Sequence, residues 1–172
     1  GPPPSCPPQF NLAAYGLRHS TETPAKTALE LVGGPHQIIW SYRQLEQAVL
    51  ATGAGLLDRG LRPGDLVLLR LGHSVDFPLS FLGAIAVGLV PVPCAAQLTE
   101  VETAKIIHDL APAAIIHDPK IACLATEHAA NTACQTHCAT CGTRRPPLIC
   151  TVIQIDWPIL SIPRGPLALH VR

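Results

Sequence analysis

The sequence contains no methionine, not even an initiator, so its start is expected to be processed or trimmed. Aromatic residues make up only 4% of the chain, too few for a platform on which nucleic-acid bases would stack. Twelve basic residues are balanced by twelve acidic ones. With no net charge there is no long-range field to draw the chain to nucleic acid or to an anionic lipid surface. No apolar run reaches the roughly 18 to 20 residues that crossing a bilayer requires, so no membrane span is expected. The opening GPPPSCPP has neither a basic segment followed by an apolar one nor a small-residue cleavage pattern. A secretory signal is therefore not expected, and the default location is cytoplasmic.

What the chain does have is a high apolar content, 48% over 172 residues, enough for one sizeable core. Residues 40 to 93 carry the clearest organisation. Ser41 followed by Gln44 is a capping-box spacing and predicts a helix start. Leu45, Ala48, Val49 and Leu56 then recur at helical spacing, with Thr52 the one polar member of that face. Gly60 fits the end of that helix, where a left-handed residue is wanted. Arg62-Pro63-Gly64-Asp65 is turn chemistry. Leu66 to Leu71 is a nearly continuous apolar run, as in a strand covered on both faces. Ser74, with Asp76 behind it, opens a second helix through Phe81 to Val87, ended by Gly88; Val90 and Val92 supply the next strand. The sum is a βαβ unit.

The flanks extend this alternation. Residues 1 to 8 are proline-rich and expected to be a flexible tail. Phe10 to His19 predicts a first helix with Phe10, Ala13, Ala14 and Leu17 along one side. Thr27 to Val32 and Gln37 to Trp40 are β-prone runs around Gly33-Gly34-Pro35-His36, a hairpin signal. Thr99 with Glu102 is a second capping box, opening a helix through Ile106, Ile107 and Leu110 that Pro112 ends. Ala113 to His117 is one more apolar strand, stopped by Asp118-Pro119. The expected fold class is therefore α/β: a partial, mostly parallel sheet with flanking helices, joined by right-handed crossovers.

After residue 118 the composition changes. Residues 119 to 172 hold two of the twelve acidic residues, Glu127 and Asp156, with six prolines and five of the seven cysteines. No capping, turn or amphipathic pattern frames the apolar runs 148–155 and 158–162. The division expected is residues 1–8 as a tail, 9–118 as an α/β subdomain, and 119–172 as an irregular or poorly ordered Cys/Pro-rich segment. One origin for such a segment is an out-of-frame reading of the gene from about residue 118, which translation of the other two frames would expose as a Ser/Thr/Gly-rich loop.

Within residues 9 to 118, five stretches in order resemble the N-terminal portion of the AMP-forming acyl-CoA synthetases, the adenylate-forming ligase superfamily. They are FNLAAYGLRHSTETPAKTALEL, WSYRQLEQAV, GLLDRGLRPGDLVLL, FPLSFLGAIAVGLVPVP and QLTEVETAKIIHDLAPAAIIHD. The resemblance implies the first subdomain of an adenylating domain, with a role in fatty acid metabolism. It also implies the use of ATP and Mg2+ to convert a small-molecule carboxylate into an acyl-adenylate, and then of CoA to form a thioester. The family's Ser/Thr/Gly-rich phosphate loop and its later adenine, magnesium, ribose and lysine motifs have no counterpart here. No catalytic and no cofactor-binding residue is therefore assigned, and the chain by itself is expected to be inactive. Left without its remaining strands and helices, such a subdomain is expected to self-associate through uncovered sheet surface.

The remaining candidates have ordinary explanations beside the chemical ones. Cys134, His137, Cys138 and Cys141, with Cys123 and His128 upstream, have spacings that tetrahedral zinc favours. They would make the chain a non-catalytic binding or scaffold domain with a zinc knuckle. A second knuckle across a loop is missing, so a cysteine-rich stretch without a metal is the favoured reading. Gly53-Ala54-Gly55 and Gly33-Gly34-Pro35-His36 are the nearest glycine-rich candidates for a nucleotide cradle, but one lies inside a helix and the other at a hairpin. His73 falls where ligands of α/β sheets bind, at the carboxyl end of a strand, yet also suits a polar cap. Asp65 and Asp76 are explained by turn bonding and by a helix start; Ser41 and Thr99 by capping. Arg144-Arg145 before Pro146-Pro147 is too short for a nucleic-acid patch.

Overall fold

A computed structural model describes residues 1, 9–32, 38–118, 120–121 and, for the backbone only, 168–171. The zinc candidates, the two tail runs, the Gly33–Gly34–Pro35–His36 turn and the Arg144-Arg145 pair lie outside them. Helices α1 (Leu12–Leu17) and α2 (His19–Glu22) precede strands β1 (Thr27–Leu31) and β2 (Ile38–Ser41). Then come α3 (Tyr42–Asp58), β3 (Leu66–Arg70), α4 (Asp76–Ala86), β4 (Val90–Pro93), α5 (Glu100–Leu110), β5 (Ala114–His117) and β6 (Ala168–Val171).

The helix starts that the sequence marks are built as marked. Ser41 N donates to Gln44 Oε1 at 2.9 Å and Gln44 N donates to Ser41 Oγ at 3.3 Å. Thr99 and Glu102 repeat the reciprocal pair at 2.8 and 3.3 Å. The Thr99 amide, and the Thr99 hydroxyl that also donates to Glu102 Oε2 at 2.8 Å, hold the exposed Glu102 carboxyl below its ordinary value. Gly60 follows the end of α3 with φ +88°, where a side chain would be strained. At the end of α5 the left-handed position falls to Ala111, φ +43°, immediately before Pro112.

The first helix departs from the expected span. It starts only at Leu12, because Asn11 caps it: Asn11 Oδ1 accepts from Ala14 N at 3.1 Å. Asn11 Nδ2 also donates to Ile85 O at 2.9 Å, fastening α1 to α4. Phe10 is thereby left outside the helix, half exposed against Tyr15, and Ala14 faces outward. Ala13 and Leu17 alone are buried.

Strands β1 and β2 form a separate antiparallel pair. The main sheet has the order β4-β3-β5-β6, with β3 parallel to both β4 and β5, and β6 antiparallel on β5. Residues 168–171 contribute a strand on β5, which no pattern in the tail sequence frames. Central β3 is covered on both faces. Val67 and Leu69 join Leu56, Leu61, Ala84, Leu89, Ala114 and Ile116 under α3 and α4. Leu68 joins Ile115 and Cys94, with Ile106 and Ile107 of α5 packed on them. Edge strand β4 turns the amides of Val90 and Cys94 inward, to Asp65 O and Leu69 O. The alternate, outward positions are Pro91 and Pro93, which have no N–H to offer another strand.

Helices α3 and α4 pack through two glycines. A Cβ on Gly53 would lie 2.7 Å from Val87 Cγ1 and 2.9 Å from Gly83 O; one on Gly83 would lie 2.7 Å from Thr52 Cβ. Thr52 itself is buried, with its hydroxyl donated to Ala48 O at 2.7 Å. Gly53 therefore serves helix packing and makes no phosphate cradle. Gly53→Ala and Gly83→Ala should each destabilise the chain by about 1–3 kcal/mol in denaturant titration, since backbone must give way. Gly55→Ala, whose new methyl meets only the far end of the Arg59 side chain at 3.2 Å (the Nη1 that donates to Gly55 O), should instead be neutral or gain up to about 1 kcal/mol. An effect at Gly55 equal to those at Gly53 and Gly83 would contradict this packing.

Candidate functional site

The carboxyl ends of the parallel strands are where an α/β sheet offers binding space, because the connections diverge there. A cavity of about 580 Å³ lies at this end. Its walls are Leu29 and Leu31 of β1, residues Leu71 to Val75 leading into α4, Phe77 and Pro78, and Pro93 to Gln97 after β4. The lining is mostly apolar; His73, Ser74 and Gln97 bring the polar groups. His73 thus stands where its position after β3 suggests, on a cavity wall, with its side chain largely in water.

The two aspartates keep structural roles. Asp65 Oδ2 accepts from Arg62 N at 2.8 Å and closes the turn before β3. Buried Asp76 sits in the first turn of α4, its Oδ2 accepting from Ser74 Oγ at 3.0 Å while Ser74 Oγ accepts from Asp76 N at 3.2 Å. The α4 N-terminus therefore already faces a carboxylate, and a phosphate placed there would be repelled. Gly72 is the only glycine of that connection, so a cradle of consecutive amides is lacking. Of the other described strand-to-helix connections, β2 runs directly into α3 and residues 94–99 before α5 contain no glycine, so none is a glycine-rich phosphate loop. The described residues hold no group of three or more His, Cys, Asp or Glu side chains able to hold a metal. No helix of theirs is long and apolar enough to cross a membrane.

Two functional-looking side chains were not singled out in the sequence: Arg70 and His117. Both close apolar strands, and the parallel register sets them side by side. Arg70 is 2% exposed. Its guanidinium reaches Thr103 Oγ1, Leu98 O at 2.8 Å and Ala95 O at 3.5 Å, with Cys94 Sγ 3.9 Å away. The visible signal is a single charge ending an apolar run, followed by a threonine in the first turn of the helix that packs over it. His117 is also buried, its Nδ1 3.2 Å from Asp118 O.

Burial holds the His117 imidazole below its ordinary value of 6.5. The bond to Asp118 O and the Asp118 carboxylate oppose this, and the Arg70 guanidinium adds to it. An unfolded chain, with the ordinary value, binds the proton more readily than the folded one. The contribution is thus complete above pH 6.5 and is lost as pH falls from there through the lowered folded value. Urea midpoints measured at pH 7.5 and 5.5 should fall more for the wild type than for His117→Gln; parallel losses would remove His117 as the cause.

Comparison with known proteins agrees with this architecture. The family described as AMP-binding enzyme matches residues 17–161, past the composition change at 118. Enterobactin synthase component E of Escherichia coli is 26% identical over 117 residues, 68% of this chain and 22% of that protein. Benzoate–CoA ligase of Thauera aromatica is 37% identical over 73 residues, 42% of this chain and 14% of that protein. The crystal structure of a benzoate CoA ligase from Burkholderia xenovorans superposes with a TM-score of 0.63 at 27% identity, over 74% of this chain and 25% of that one. The chain thus spans less than a quarter of the length of these two curated relatives.

Proposed function

The chain belongs to the AMP-binding enzyme family, and from that premise we propose that it is a portion of an acyl- or aryl-CoA ligase. Such a ligase activates a small-molecule carboxylate with ATP and Mg2+ and passes the acyl group to CoA. This portion supplies scaffold: the parallel strands, their covering helices and one lip of the cleft at the strand ends. The reading is supported by the family match over residues 17–161, taken with the misfit between the described residues and a triphosphate. Benzoate–CoA ligase being among the relatives favours an aromatic carboxylate as the substrate of the whole ligase.

The division of labour has a physical basis. Adenylate formation demands donors and a cation fixed around the reacting phosphorus. At the α4 N-terminus that place is taken by Asp76 and Ser74. What the strand ends do offer is an apolar recess, suited to surface contributed by the remainder of a ligase. Uncovered, the same recess gives the isolated chain a reason to self-associate.

An ATP–pyrophosphate exchange assay with benzoate and a mixture of aryl and alkyl carboxylates tests the proposal. The purified chain should give no exchange above the protein-free background. Carboxylate-dependent exchange would show that the catalytic groups are present after all.

A further inference from the structure

Arg70 interrupts the logic of the strand it closes. Along β3 the side chains alternate: Val67 and Leu69 face α3 and α4, while Leu68 and Arg70 face α5. A buried cation is costly there unless acceptors surround it. The acceptors it meets include two carbonyls of the β4–α5 connection, Ala95 O and Leu98 O, and the hydroxyl of Thr103 in α5. Thr103 is itself fully buried and donates its hydroxyl onward to Thr99 O at 2.8 Å, the carbonyl of the residue that caps α5. Through its main chain Arg70 also receives Asp118 N on its carbonyl at 3.1 Å, just past the end of β5. One residue therefore fastens the carboxyl ends of β3, β4 and β5 and the first turn of α5. A planar fork of fixed donors can serve several carbonyls at once, which a lysine ammonium on a flexible stem cannot.

The segment so fastened, Cys94 to Gln97, is one wall of the cavity. We infer that Arg70 is a positioning residue for this wall: it holds the β4–α5 connection over the end of the sheet, keeping the recess preformed and the Cys94 thiol covered. The inference stands apart from the assigned reaction, since it rests on the geometry of β3, β4 and α5 alone.

Alkylation of Cys94 by iodoacetamide in the full chain, followed by peptide-resolved mass spectrometry, reads the wall directly, because Cys94 is only 7% exposed. Hydrogen exchange at the Ile115 and Ile116 amides of β5 reports whether the sheet itself survives. In Arg70→Met the Cys94 rate should rise on the order of tenfold, as for a locally opened segment, with the β5 amides still protected. Arg70→Lys should fall between. An unchanged Cys94 rate in Arg70→Met would overturn the inference. Should Arg70→Met also lose β5 protection, Thr103→Val decides, for it removes one acceptor and leaves the cation. A several-fold faster Cys94 reaction, reversed in Thr103→Ser, supports the role; a wild-type rate refutes it.

Discussion

Strand β3 has no face in water, and the rest of the described structure follows from having to cover it twice. On one side Val67 and Leu69 require a helical layer, and α3 and α4 provide it. These two helices approach closely at Gly53 and Gly83, where neither tolerates a side chain. On the other side Leu68 is covered by α5. That helix is held in place by its capping box and by the guanidinium that rises from the end of β3 itself. Apolar burial drives both layers together, while a buried charge sets where the second layer ends.

The same constraint explains the contrast between the sheet's edges. Parallel strands need crossovers, so β3, β4 and β5 are separated by α4 and α5 and share one carboxyl end. The connections gather there and leave the recess between β1, the start of α4 and the stretch after β4. Among the described residues β4 is an edge and presents prolines on its outer side, which disfavour further pairing, whereas β5 accepts the antiparallel β6.

Much of this was legible in the sequence because the relevant signals are local. The capping boxes at Ser41 and Thr99, the Gly60 helix end, the Pro-Gly-Asp turn and the apolar β3 run each involve residues within a few positions of one another. What escaped was set by distant partners. The cap by Asn11 that starts the first helix at Leu12 is a local signal, but nothing near Asn11 announces that its Nδ2 will also donate to Ile85 O. Nothing near Arg70 shows that its acceptors lie 25 to 33 residues further on. The pairing of residues 168–171 with β5 is likewise long-range, and a four-residue strand carries too little pattern to be recognised alone. For the site, the position of His73 at a strand end was readable, but the cavity was not, since its opposite wall comes from Leu29 and Leu31 of β1.

The central proposal is that the described residues are scaffold of an AMP-binding enzyme and do not themselves grip the nucleotide. Calorimetric titration of the purified chain with ATP and Mg2+ tests it most directly, because binding precedes any chemistry. The account predicts no saturable heat up to millimolar nucleotide, a Kd weaker than about 1 mM corresponding to less than about 4 kcal/mol of binding free energy. A saturable one-to-one isotherm in the micromolar range would contradict it and place a phosphate cradle within this chain.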